Sequence, residues 1–212
     1  MKRIGYLYEK IYDLDNLILA ERKARRGKSK QYGVREFDKN PMDNIINLYY
    51  ILLNKEYRTS EYIVFKIKDP KEREIFRLPY YPDRIVHHAI MNILEPIFVK
   101  CFTVNTYSCI KGRGILLCLN NLKKALKDKE NTKYCLKLDI QKFYPSVDNE
   151  ILKKLLRKKF KDEDLLNLLD EIIDSSQGLP IGNYLSQYFA NFYLTYFDHY
   201  IKAGIGGGKT LF

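Results

Sequence analysis

The segment YCLKLDI, Tyr134–Ile140, constrains the fold more than any other stretch of the chain. Tyr134, Leu136, Leu138 and Ile140 alternate with Cys135, Lys137 and Asp139, and this period of two predicts a strand with two distinct faces. Asp139 therefore points away from the aliphatic face. A strand needs neighbours along its edges, so a fold built around it contains a sheet. Helical patterns on both sides of the segment make the expected class α+β and helix-rich.

The other elements follow from periodicity and punctuation. Residues 1 to 40 hold a helical pattern with Leu14, Leu17 and Ile18 on one face, followed by the basic run ERKARRGKSK. A helix is expected over Met42–Leu53. Two β-rich runs flank Asp69-Pro70-Lys71-Glu72, which predicts a hairpin. In DRIVHHAIMNILEPIF the apolar positions Ile85, Ala89, Ile90, Ile93 and Leu94 recur at helical spacing, and the helix is expected to stop near Pro96. His87 and His88 lie on that helix and are read as packing or hydrogen-bonding residues, not metal ligands. The stretch SCIKGRGILLCLNNLKKAL gives a glycine-punctuated loop and a helix. Asp148 is expected to cap the amphipathic helix ILKKLLRKKF. A Gly/Pro loop then leads into a long aromatic helix from about Asn183, whose stripe Phe189, Phe192, Tyr193, Tyr196 and Phe197 is read as core.

With 212 residues the chain is one domain with elaborations, or a larger domain cut short. Lys and Arg number 37 against 26 Asp and Glu, a net charge of +11, and 14% of residues are aromatic. That balance points to a polyanion, most simply nucleic acid. The four cysteines, Cys101, Cys109, Cys118 and Cys135, show no zinc-type spacing. The N-terminal segment has no apolar signal core, and no run is long and apolar enough to cross a membrane. A reduced, cytoplasmic protein with no membrane partner is the expectation.

Four motifs in order, KEREIFRLPYYPDRIVHHAI, YSCIKGRG, KLDIQKFYPSVD and GLPIGNYLSQYFANFYLTYFDHYIK, resemble the finger and palm motifs of prokaryotic reverse transcriptases over roughly residues 45 to 202. IGNYLSQ, Ile181–Gln187, resembles the [I/V/L]GxxxSQ motif of reverse transcriptases from diversity-generating retroelements, where most others carry QGxxxSP. The resemblance implies reverse-transcriptase fingers plus an incomplete ferredoxin-like palm. It divides the chain into an N-terminal basic helical extension (1–44), fingers (45–130), partial palm (131–202) and an atypical tail (203–212). Position by position, it implies that Asp139 is the first catalytic aspartate and that Asp139 and the Ile140 carbonyl hold metal. Tyr144 is the aromatic ring that selects deoxynucleotides, and Lys71 and Arg73 grip the incoming triphosphate. Ile181 and Gly182 pack against the nascent base pair. Lys111 and Arg113, in the glycine-punctuated loop, are candidate nucleic-acid contacts, with a plain loop role open for Arg113. Magnesium, a template RNA, a DNA primer and a small basic accessory protein are the implied cofactor and partners.

The chain departs from the family after Lys202, where it reads AGIGGGKTLF and lacks a YxDD-type motif. Two cations about 4 Å apart need more carboxylate than Asp139 supplies. The expectation is a truncated reverse transcriptase, inactive as written and less stable than a complete relative. The fit of AGIGGGKT to a loose phosphate-loop pattern is read as coincidence, because no helix follows it. A group II intron or retron-type reverse transcriptase fragment and a non-catalytic RNA-binding remnant are the alternatives.

Overall fold

The computed structural model describes residues 3–205. The tail reading over 203–212 falls mostly outside that range. The elements run α1 (Tyr8–Tyr12), α2 (Leu14–Ala24), α3 (Tyr32–Phe37), α4 (Pro41–Leu53), β1 (Ile63–Asp69), β2 (Lys71–Arg77), α5 (Ile85–Cys101), α6 (Ile115–Ala125), α7 (Phe143–Ser146), α8 (Asn149–Lys159), α9 (Glu163–Asp174) and α10 (Tyr184–Tyr200). The class is α+β and helix-rich, as expected, with one two-stranded sheet among the described residues.

Helix α5 is the axis of the core. Ile85, Val86, Ala89, Ile90, Leu94 and Phe98 are fully buried on it, and α1, α2 and α10 pack against it. Phe98 sits among the rings of Phe102, Phe160, Tyr188, Phe189 and Phe192. This cluster explains why α5 does not stop at Pro96 but runs through it to Cys101. An interior proline costs a helix about 3 kcal/mol. Burying Phe98, with Ile97 and Val99 packed against the same core, returns about 1.5–3 kcal/mol per large apolar side chain. The aromatic stripe on α10 splits instead of staying wholly in the core. Phe189 and Phe192 are buried and Tyr193 partly so, while Tyr196 and Phe197 face solvent.

Local signals place the ends of the helices. Asp13 accepts from Asp15 N and Asn16 N at the start of α2, Asp148 from Ile151 N at α8, and Asp162 from Leu165 N at α9. Asp162 also accepts from the backbone of Leu7 and Tyr8 at 2.6 and 3.1 Å, and Ile4 bridges Phe160, so the N-terminus is tied to the α8–α9 corner. The hairpin has β1 antiparallel to β2 with Ile63 opposite Arg77 and Asp69 opposite Lys71, which puts Pro70 at the turn.

The segment expected to be a strand is not one. Tyr134–Ile140 is irregular, exposed throughout, and joined to no ladder among the described residues. The alternation is present, but a strand is a paired object, and among the described residues no neighbouring strand lies beside this one. The sheet of a ferredoxin-like palm is accordingly not formed among the described residues.

Candidate nucleic-acid interface

The base of the hairpin is anchored on both sides. Asp83, fully buried just before α5, accepts from the Tyr57 hydroxyl at 2.7 Å and from Ser60 N at 3.1 Å, which fixes the chain leading into β1. On the other side Phe76 N of β2 donates to Ile181 O at 2.8 Å. The next residue, Gly182, has φ +123°, and a Cβ there would lie 2.6 Å from Phe76 O. Only glycine fits that approach. The same loop meets the turn after residue 140, since Leu179 N donates to Tyr144 O at 2.9 Å and a Cβ on Gly178 (φ +68°) would fall 2.7 Å from Tyr144 O.

The structure thus gathers Tyr144, Ile181 and Gly182 at the root of the hairpin that carries Lys71 and Arg73. Tyr144 is half-buried, and burial, with Cys109 adding to it, pushes its phenol above the usual range, so the ring stays neutral. Lys71, Arg73, Asp139, Ile140 and Lys111 are exposed, and no hydrogen bond among the described residues links Asp139 to the Gly182 loop. Arg113 donates to the carbonyls of Thr103 at 2.8 Å and Thr106 at 3.1 Å and so pins its own loop. Among the described residues no three His, Cys, Asp or Glu side chains form a metal-binding group. Asp139 with one carbonyl does not fit a two-cation cage.

A cavity of about 410 Å³ opens between the hairpin root, α5 and the start of α10, lined by Lys28, Arg77, Arg84, His87, His88 and Gly182 among others. Its electrostatics are one-sided. Burial lowers the Arg84 guanidinium, and Arg77 adds to the shift. Burial and then Arg84 lower Lys28. Neither cation has an ion pair or a side-chain hydrogen bond among the described residues, and Arg77 lies over the Phe65 ring at 5.9 Å. Burial, with Arg84 second, drives His87 down to about 3 and His88 to about 4, so both imidazoles are neutral near pH 7. His88 stacks on Tyr184 at 4.6 Å, and His87 Nε2 is buried without a partner. Half-desolvated cations without carboxylates are suited to an anion, and a phosphodiester meets them without an accompanying cation.

Sequence reasoning did not single out Lys28 or Arg84. Lys28 lies in the flagged basic run, and an arginine at the start of an otherwise apolar helix was the available sign for Arg84. No helix is long and apolar enough to cross a membrane among the described residues.

No protein-family model matches the chain. Curated proteins do. It is 26% identical over 146 residues to protein YkfC of Escherichia coli, a match covering 63% of this chain and 38% of that protein. It is 27% identical over 141 residues to nuclear intron maturase 4, mitochondrial, of Arabidopsis thaliana, covering 61% and 17%. It is 23% identical over 145 residues to the group II intron-encoded protein LtrA of Lactococcus lactis, covering 63% and 24%. The matched region spans between 17% and 38% of the length of these relatives. The chain is similar at low identity to an intron-encoded protein and an intron maturase, and that similarity supports a reverse-transcriptase family.

Proposed function

We propose that this chain is the fingers (45–130) and part of the palm (131–202) of an RNA-directed DNA polymerase, preceded by a basic extension (1–44) that also faces nucleic acid. The observation that carries this reading is the convergence at the hairpin root. Phe76 is bonded to Ile181, Gly182 lies against the hairpin backbone, and the uncompensated cations Lys28 and Arg84 line the adjoining cavity. Such a cleft binds a nucleic-acid strand through its phosphates. On this reading Lys71 and Arg73 of the outer hairpin meet a triphosphate, and Tyr144 crowds a ribose 2′-hydroxyl. Asp139 and the Ile140 carbonyl would supply part of a magnesium shell. Template RNA and a DNA primer are the proposed partners, with a small basic accessory protein where the diversity-generating type applies.

Two branches are supported by different observations. The intron-encoded relatives favour a group II intron type, on which the partner is intron RNA. The Ile181–Gln187 motif favours the diversity-generating type. A template and variable repeat pair in the neighbouring DNA distinguishes the second from the first.

Primer extension with magnesium and deoxynucleotides on an RNA template tests the chemistry, and the 212-residue chain is expected to give no product. Product that disappears in Asp139→Asn overturns the incompleteness of the site. Tight RNA binding that weakens with salt is expected in either branch, and its absence overturns the nucleic-acid reading itself.

A further inference from the structure

Two of the chain's three histidines line the cavity at the hairpin root, and they differ in access. His87 is fully buried, while His88 is half-buried and stacks on the Tyr184 ring, with centroids 4.6 Å apart and planes 25° off parallel. Charged groups bear on His88 from each element around it. Arg84 and His87 belong to the entry and first turn of α5, Lys28 to the turn after α2, and Lys23 to α2, where its ammonium donates to Asn92 at 2.6 Å. Arg77 of β2 completes the lining, which contains no Asp or Glu. On α10, burial and then Glu95 push the Tyr184 phenol up, so that ring is neutral too. Glu95 is the carboxylate of α5, and it acts on Tyr184 and Tyr188.

His88 is therefore held uncharged by burial first and by the neighbouring cations second, with Arg84 the largest of these. An anion lodged among those cations cancels the second cause. An opposite charge within about 4–6 Å moves a titratable group by about 1–3 pH units. The stacked geometry favours the charged form as well, since a cation within about 6 Å of an aromatic face is attracted to it.

We propose that a phosphate group bound in this cavity draws a proton onto His88, and that the imidazolium so formed joins Lys28 and Arg84 in holding it. The inference rests on reading the cavity as a phosphate site, and it adds to that reading a residue and a pH dependence. The proton comes from solvent, and no bond between heavy atoms forms or breaks. Free His88 takes up its proton at about pH 4 and bound His88 at a higher pH. Between those two values binding consumes a proton and tightens as pH falls, by at most about tenfold per pH unit. Above the higher value this group gives no pH dependence. The other two histidines are poorly placed for the role. His87 Nε2 is sealed in the core without a partner, and His199, outside the cavity lining, donates from Nε2 to the Cys101 carbonyl at 2.8 Å.

The experiment is titration of the full chain with an oligouridylate of about ten nucleotides, whose bases and diesters do not titrate between about pH 5.5 and about pH 8. Affinity at fixed salt is expected to rise about threefold or more from the upper to the lower pH. Calorimetry in two buffers of different ionisation enthalpy should then show proton uptake at the lower pH and none at the upper. His88→Gln loses both the rise and the uptake, and His199→Gln keeps both. The unaltered chain gives a readout that needs no variant, because the NMR titration of the His88 imidazole should move to higher pH when the oligouridylate is bound. A His88 titration unmoved by the oligouridylate, or a pH dependence that persists in His88→Gln, overturns the inference and leaves the phosphate site standing. Binding indifferent to Arg84→Gln and Lys28→Gln overturns the phosphate site, and the inference with it.

Discussion

His87 is buried beside Arg84 with no hydrogen-bond partner for Nε2, so the folded protein holds it neutral. Its folded pKa of about 3 lies below the ordinary value of about 6.5, so the unfolded chain binds the proton first. Stability from this group is therefore full above pH 6.5 and drains as pH falls from there towards 3. By pH 5 the loss is about 2 kcal/mol, at about 1.36 kcal/mol per unit. Urea melts across pH 5 to 7 should show the slope, and His87→Gln should remove about half of it, because His88, lowered to about 4, contributes a similar share. Gly182 is constrained by space as well as by conformation. Gly182→Ala puts a methyl group 2.6 Å from Phe76 O at a φ of +123°. The expected cost is about 1–3 kcal/mol, with faster hydrogen exchange at the Phe76 amide as the local readout.

Asp148 and Asp162 cap α8 and α9 locally, but the corner between these two helices also holds the N-terminus. Burial alone would raise the Asp162 carboxyl. The N–H groups of Leu7, Tyr8, Leu165 and Asp164 outweigh burial and hold it below the usual range. Asp162→Ala removes the α9 cap and strands two amides of the α1 entry, and should destabilise by about 2–4 kcal/mol. A melt of Asp162→Asn, which keeps part of the cap, should fall between the two. The hairpin was legible because Asp69-Pro70 punctuates two β-rich runs, and α4, α6 and α10 because their apolar spacing is regular. Helix α9 was legible too, from Asp162 and the period of Leu165, Leu166, Leu169 and Ile172, but the expectation did not include it. Pro96 misled because a local rule met a strong tertiary force, the ring cluster around Phe98. Tyr134–Ile140 misled because alternation records which faces a segment can offer, while pairing depends on a neighbour elsewhere.

The whole molecule carries +11, and the cavity concentrates part of that charge where water is partly excluded. Affinity for single-stranded RNA should fall linearly in log–log form with salt, by about 0.7 per phosphate contact. Arg84→Gln or Lys28→Gln should each lower that slope by about 0.7 without changing sequence preference, as filter binding across a salt series would read. A slope identical to that of the unaltered chain would remove the cavity from the interface. The sequence by itself determined most of the longer helices, the hairpin, the cap at Asp148, the basic balance and the order of the motifs. These depend on neighbours a few residues apart or on composition. Only the tertiary structure decided that Lys28, Arg77, Arg84, His87 and Gly182 share one cavity, that α5 passes through Pro96, and that Tyr134–Ile140 stands unpaired. Those outcomes depend on burial and on separations across many tens of residues, where the free energy of a position is set by what packs against it and not by its own side chain.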